Sequence, residues 1–299
     1  MNFKAANRNN FLEALNINKK RTIAILKRLL PTGPKDSIED AMRYTMLNSG
    51  KSLRSFLVIE SATLFDLPEE YSLYSAAAVE CIHCYSLVHD DLPAMDDDDI
   101  RRGYPTVHKK WDEATAILVG DALQTLAFEI LSKEEVHPNP KIRINLINSL
   151  AKASGSKGMV GGQNLDIKAE KTGSALNLEE IENLQNLKTG ALIIWAAQVG
   201  PRLSNCDLKP LTTYAKALGL AFQIRDDILD EIGEVHQTGK KLRKDASAGK
   251  ATFVSLLGLD EAKKRSKSLV EEAIESLSPY GLKANLLKEA AIFTIERKF

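Results

Sequence analysis

Two aspartate-rich segments each follow an apolar, helix-like run: Asp90-Asp91-Leu92-Pro93-Ala94-Met95-Asp96-Asp97-Asp98-Asp99 and Asp226-Asp227-Ile228-Leu229-Asp230. Few folds accommodate such a feature twice. The run before the first, Ala76 to Val88, has few polar side chains and reads as a buried helix whose end must carry several carboxylates. A helix C-terminus already bears partial negative charge from its unpaired carbonyls. Asp90, Asp91 and Asp96 to Asp99 therefore repel the helix end and one another, and cations are the natural counter-charge. Mg²⁺, a hard ion that takes oxygen ligands, is the first expectation. A lone acidic run would read as a solvated loop, whereas two in matching contexts read as two facing metal-binding walls.

Spacing sharpens both. At 100° per residue Asp226 and Asp230 lie about 40° apart on a helix and Asp227 about 60° from Asp230, so the three share one face with Gln223 a turn before them. The first segment cannot stay helical through Asp96, because Pro93 disfavours helical geometry at Leu92 and lacks a backbone donor. Asp90 and Asp91 are predicted to close a helix, with Asp96 returning from a bend. His83, seven residues before Asp90, falls on the same stripe two turns upstream.

With 299 residues the chain can bury a sizeable core. Its forty basic and forty acidic residues cancel, which argues against a general nucleic-acid surface. Cys81, Cys84 and Cys206 are too few and unevenly placed for a disulfide framework, so a reducing, cytoplasmic location is expected. Cys81-x-x-Cys84 lacks the second pair that a zinc site needs and reads as core. No uninterrupted apolar stretch is long enough to span a bilayer, the run near Leu192 to Val199 being far too short, and no membrane insertion is expected.

Helical periodicity runs through Phe11 to Leu30, Ser37 to Ser49, Arg54 to Phe65, Ala114 to Leu131, Ile142 to Ala153, Leu178 to Val199, Lys209 to Ile232 and Asp260 to Leu277, with apolar residues at i, i+3, i+4 and i+7. No convincing alternating strand appears. The prediction is an all-α chain, and with no composition shift or long linker, residues 1–299 are expected to form one domain. Basic residues gather around the acidic segments: Lys51 and Arg54, Arg101-Arg102-Gly103, Lys188-Thr189-Gly190, and Lys240 and Lys250, each after a glycine. An arginine fork suits phosphate and a lysine supplies a compact charge. Singly each reads as a surface charge; together, beside metal-like carboxylates, they point to a substrate with several negative charges, such as a diphosphate.

The segment from Glu80 through Asp99 to Gly103 resembles the first aspartate-rich motif of the trans-isoprenyl diphosphate synthases, bacterial farnesyl diphosphate synthases (geranyltranstransferases) in particular. Gly161-Gly162-Gln163-Asn164-Leu165-Asp166, Lys188-Thr189-Gly190 and Phe222-Gln223-Ile224-Arg225-Asp226-Asp227-Ile228-Leu229-Asp230 resemble the later motifs, in order, and the similarity runs from about Ala41 to Gly258. The resemblance implies an isoprenoid synthase-type helical bundle with a deep central cavity, a homodimer, and several Mg²⁺ ions per site, three being expected. It implies Asp90, Asp91, Asp96, Asp226, Asp227 and Asp230 as metal ligands, and Arg101, Lys188 and Lys240 as ligands of an allylic diphosphate. Lys51, Arg54, His83 and Arg102 would hold isopentenyl diphosphate, Thr189 and Gln223 would turn oxygens toward the developing cation, and Lys250 would support the diphosphate. Tyr85 and Ser86, five and four residues before Asp90, would floor the product tunnel at fifteen carbons. For Gln163 and Asp166 a helix-to-helix hydrogen bond competes with any substrate role.

One departure stands out: where the family reads Gly-Gly-Lys-Arg-x-Arg-Pro, this chain has Ser49-Gly50-Lys51-Ser52-Leu53-Arg54-Ser55. The implied activity is trans, head-to-tail condensation of dimethylallyl or geranyl diphosphate with isopentenyl diphosphate, mainly to farnesyl diphosphate. Geranylgeranyl or geranyl diphosphate synthesis is the alternative within the class. A terpene cyclase would mix Asn, Ser or Thr with Glu in its second motif, and a non-catalytic synthase subunit would not need both acidic walls.

Overall fold

The computed structural model describes residues 3–48, 50–172, 176–232 and 252–297, without the side chains of residues 3–9 and 172. Apart from one two-stranded hairpin, every regular element among them is helical. The chain forms two compact units.

The first unit comprises Leu12–Leu150 and Val199–Cys206. It holds most of α1 (Phe3–Leu29), then α2 (Ile38–Leu47), α3 (Leu53–Thr63), α4 (Glu69–Asp90), α5 (Val107–Lys110), α6 (Glu113–Ser132) and most of α7 (Pro140–Ser154). Local chemistry starts two of these helices: the Ser37 hydroxyl accepts from the Asp40 N–H, and the Asp112 carboxylate from the Thr115 N–H. α4 is the unit's axis. Residues Ser75 to Ile82 are all buried, as expected of a helix whose residues there are apolar or small apart from Glu80. α6 packs along α4 through Ala116, Val119, Leu123, Ala127 and Ile130. By length and composition α6 could also cross a membrane. It holds no long uninterrupted apolar run, because Asp121 and Glu129 break it.

A short hairpin joins β1 (Ile100–Arg101) to β2 (Tyr104–Pro105), with Arg101 opposite Tyr104. Its turn residues Arg102 and Gly103 have φ of 55° and 81°, the pair of positive values that a tight type I′ turn requires. Two-residue strands leave no alternating pattern for a sequence to display.

The second unit comprises Met1–Phe11, Ala151–Gln198 and Asp207–Phe299. It holds α8 (Met159–Thr172), α9 (Leu178–Gln185), most of α10 (Ala191–Leu203), α11 (Lys209–Ile232), α12 (Phe253–Leu257), α13 (Leu259–Ser276) and α14 (Asn285–Glu296). α11 packs most extensively on α13, and Ile181, Leu220, Ile224, Ile228, Phe253 and Ala262 form a core cluster around it. The Tyr214 hydroxyl donates to the Leu287 carbonyl and ties α11 to α14. The periodicity from Leu178 to Val199 predicts one helix; the structure divides it. A π-helical turn, Asn186–Gly190, separates α9 from α10 and contains Lys188 and Thr189.

Candidate active site

α4 ends at Asp90 and Asp91 caps it. The chain bends through Pro93 and returns: the Asp96 N–H donates to the Asp90 carbonyl at 2.8 Å and the Asp98 N–H to that of Asp91 at 3.2 Å. These bonds satisfy helix-end carbonyls with the backbone of the acidic loop itself. Asp91 is buried, and Arg101 grips it with Nε at 2.6 and 2.9 Å from its two oxygens and Nη2 at 2.5 Å from Oδ1. Arg101, implied as a diphosphate ligand, is thus an internal counter-ion of the acidic wall. It lies 3.7 Å from Asp98 as well.

One guanidinium does not neutralise this wall. Burial holds the Asp91 carboxyl above its ordinary value despite Arg101, and Asp98 and Asp96 push in the same direction. Asp96 is exposed and has no ion-pair partner among the described residues. An oxygen-only cluster at the end of a buried helix fits a hard divalent cation, with Asp90, Asp91 and Asp96 as its holders.

Beside the wall lies a concentration of positive charge. Burial lowers the Arg54 guanidinium from its usual range; Glu80 opposes this and Arg102 adds to it. The buried Arg54 Nε has no partner. Glu80, which would neutralise Arg54, is also committed to the start of α3, where its Oε1 accepts the Ser55 N–H at 3.1 Å. His83 is held well below the ordinary imidazole value by burial, then by Arg54, Arg102 and Arg101. Ser52, Glu80, His83, Cys84 and Arg102 line a small cavity here, and Cys84, Asp91, Arg101 and Arg102 share in the next. A Cβ on Gly50 would meet the Arg102 guanidinium at 2.9–3.1 Å, so glycine lets that side chain lie on the backbone next to Lys51. Lys51 itself is exposed. Ser52 and Arg102 both adopt left-handed backbone (φ 56° and 55°), strain that clusters where side chains must be aimed. Three arginines around a neutral histidine, with an unpartnered buried donor, form a place for an anion.

Tyr85 is buried, its ring edge-on to His89 with centroids 5.8 Å apart. Burial pushes its phenol up to about 12, with Gln124 of α6 as a polar neighbour. The Ser86 hydroxyl turns back to the His83 carbonyl at 2.9 Å.

In the second unit Asp226, Asp227 and Asp230 share the last three turns of α11 with Gln223. Asp226 receives a 2.5 Å bond from Arg297, whose guanidinium also donates to the Phe222 carbonyl and stacks 3.8 Å above the Phe222 ring. The Arg297 carbonyl in turn accepts from Arg225. Asp227 takes the Phe253 N–H at 2.6 Å and so caps the start of α12. Lys188 pairs with Asp166 of α8 at 2.5 Å, the helix-to-helix bond weighed for that aspartate. Gly162 makes this approach possible, since a Cβ there would sit 2.1 Å from the Lys188 nitrogen. Nothing local in the sequence marks Arg297 as a site residue, because its partner lies 71 residues away. Lys240 and Lys250 lie outside the described residues.

A polyprenyl synthetase family model matches residues 35–287. The farnesyl diphosphate synthase of Escherichia coli K12 is 46% identical over 269 residues, covering 87% of this chain and 89% of that protein. An FPP/GFPP synthase structure from Zymomonas mobilis superposes with a TM-score of 0.88 at 42% identity, over 96% of this chain and 99% of that one. The geranyltransferase of Helicobacter pylori, solved in complex with magnesium and isoprenyl diphosphate, gives 0.79 at 33% identity, over 96% of each chain. Matched along most of its length in sequence and fold, and with the helix-ending aspartates in place, this all-helical chain belongs to the polyprenyl synthetase family.

Proposed function

We propose that the chain is a trans-prenyltransferase, a farnesyl diphosphate synthase that joins dimethylallyl and then geranyl diphosphate head-to-tail to isopentenyl diphosphate. The observation that carries this reading is the pairing, within one unit, of a carboxylate wall whose buried Asp91 is held above its ordinary value with the Arg54, His83, Arg101 and Arg102 cluster. Two oppositely charged neighbours of this kind suit a metal-bound diphosphate beside a second anionic substrate. The 46% identical farnesyl diphosphate synthase supports the choice of product, and the complex of the Helicobacter pylori relative supports magnesium.

Asp90, Asp91 and Asp96, and on α11 Asp226 and Asp230, would hold Mg²⁺, three ions by our reading. Mg²⁺ bound there would supply Lewis-acid stabilisation of the charge that grows on the leaving diphosphate. The protein's own groups do the rest. Arg101 and Lys188 bind the allylic diphosphate, each exchanging its carboxylate partner, Asp91 or Asp166, for substrate oxygens. Arg54, Arg102, Lys51 and a neutral His83 hold isopentenyl diphosphate. Thr189 and Gln223 present oxygens to the cation formed at the allylic carbon, and apolar surroundings keep water from it. The double bond of isopentenyl diphosphate attacks that carbon, and the departed diphosphate takes the proton lost from the new chain. No protein nucleophile is required. Lys240 and Lys250 belong to the same diphosphate set, Asp227 supports the wall, and Tyr85 with Ser86 sets product length. The same reading makes the chain a single domain, a cytoplasmic enzyme without membrane insertion, and a homodimer that binds no nucleic acid.

Incubation with dimethylallyl and isopentenyl diphosphates plus Mg²⁺, followed by chromatography of dephosphorylated products, tests this. Farnesol is the expected main alcohol. Absence of any elongated product overturns the reading, and a twenty-carbon product overturns the assignment of the tunnel floor.

A further inference from the structure

Beyond the Asp90, Asp91 and Asp96 wall, three more ligand-type groups converge: the carboxylates of Asp97 and Asp99 and a ring nitrogen of His108 lie within 4.8 Å of one another. The carboxylates are exposed, and alone they would be a solvated acidic turn. The histidine makes the difference. His108 is 7% exposed, and its Nε2 is buried without a hydrogen-bond partner. Its other nitrogen is engaged: the Thr106 hydroxyl donates to the Asp99 carbonyl at 3.3 Å, so Nδ1–H donates to the Thr106 oxygen at 3.2 Å. That tautomer leaves the Nε2 lone pair free, the arrangement in which a second group orients a histidine for metal.

We propose that Asp97, Asp99 and His108 form an additional divalent-cation site, distinct from the substrate-binding carboxylates and selective for Zn²⁺, a borderline ion, over Mg²⁺, with Mn²⁺ as a spectroscopic probe that also accepts imidazole. Two oxygens and one imidazole suit that class; Mg²⁺ prefers an all-oxygen shell. Metal–ligand bonds of about 2.0–2.1 Å place tetrahedral ligand atoms about 3.3 Å apart. The present spacing must therefore contract, which two exposed aspartate side chains can do by changing rotamer. Lys109 Nζ, 2.9 Å from Asp99 Oδ1, is the cation that the metal has to displace.

Position gives the site its consequence. Asp99 precedes β1 and His108 follows β2, so an ion held by both clamps the base of the hairpin that carries Arg101 and Arg102. The two arginines would then be braced from outside the substrate cluster.

The test uses the full-length protein in excess Mg²⁺, which keeps the oxygen-only sites filled, with sub-stoichiometric Mn²⁺ read by electron spin-echo modulation. Modulation from an imidazole ¹⁴N is expected in the wild type. It should vanish in the Asp97→Asn/Asp99→Asn double variant, whose substitutions are on the surface and retain His108. Zn²⁺ affinity measured by calorimetry in the same buffer should fall about tenfold or more in that variant and rise in Lys109→Met. Wild-type Mn²⁺ without ¹⁴N modulation, or modulation that persists unchanged in the double variant, overturns the site.

Discussion

Asp91 and Asp96 are both ligand candidates, yet their surroundings predict different behaviour on mutation. Asp91 is buried under Arg101, whose side chain is 25% exposed, whereas Asp96 is exposed and has no ion-pair partner among the described residues. Replacing either by Ala should cost about 10²–10³ in turnover, the usual effect of deleting one charge-stabilising group. Only Asp91→Ala should also lower thermal stability, by ~1–3 kcal/mol, because it strands a partly buried guanidinium. Equal melting temperatures for the two variants in chelator would show that the Arg101 pair is not structural. His83 gives a second residue-scale prediction. Its folded value is depressed, so between that value and the ordinary 6.5 the unfolded chain binds a proton that the folded chain does not. Stability is therefore fully present above 6.5 and falls with acid, by at most about 1.4 kcal/mol for each pH unit of the window. His83→Gln should flatten this slope in urea titrations at pH 5 to 7; an unchanged slope would assign the acid sensitivity elsewhere. At this scale the sequence revealed which residue types cluster. It did not reveal their partners, because Arg101 on Asp91, Arg297 on Asp226 and the Phe253 N–H on Asp227 depend on how distant segments meet.

Among the elements, the π turn at Asn186–Gly190 is the least legible. One inserted residue turns the residues after it by about 100°, but Ala191 to Ala197 are apolar at every position, so the spacing from Leu178 to Val199 shows no phase shift and cannot distinguish a straight helix from one with a π turn. Such turns are frequent at functional sites, and here the turn carries Lys188 and Thr189. What makes it visible in retrospect is Gly162, whose missing side chain admits the Lys188 backbone. Gly162→Ala should push α8 off the turn, lower stability by about 1–3 kcal/mol as overpacking does, and weaken turnover through the displaced Lys188. Gly190→Ala is the matched control, since its Cβ would meet nothing closer than 3.5 Å. Thermal melts and kcat for the two decide it: since Ala is the better helix former, similar losses in both would mean that the close approach at Gly162 is not what sets its glycine apart. The long helices were legible because most keep an apolar stripe, and α4 because its middle is apolar or small apart from Glu80. The hairpin at Ile100 to Pro105 was not, because its information lies in two backbone angles rather than in a pattern.

For the whole molecule, the helical class follows from periodicity alone, but the division into two units does not, because no shift in composition marks it. The divisions fall inside α1, α7 and α10, at Phe11, Leu150 and Gln198. A helix cannot melt on one side of such a point without fraying the other, since each backbone bond reaches four residues back. One cooperative unfolding transition is therefore expected from scanning calorimetry of the metal-free protein, with calorimetric and van't Hoff enthalpies in agreement. Two resolved transitions would make the units separate domains. Ligands extend the test. If both aspartate walls serve one diphosphate-binding function, Mg²⁺ with a non-hydrolysable allylic diphosphate analogue at about 100 times Kd adds roughly 2.7 kcal/mol, ~4 °C for a chain of this size. The analogue without Mg²⁺ should add much less, because Asp91 and its neighbours then face the diphosphate as like charges. In an Asp96→Ala/Asp230→Ala variant, which removes one ligand from each wall, the shift with Mg²⁺ should shrink toward the metal-free value. A single transition that moves as a whole in the wild type is the expected result. A shift that the double variant retains in full would mean that the carboxylates do not hold the metal on which diphosphate binding depends.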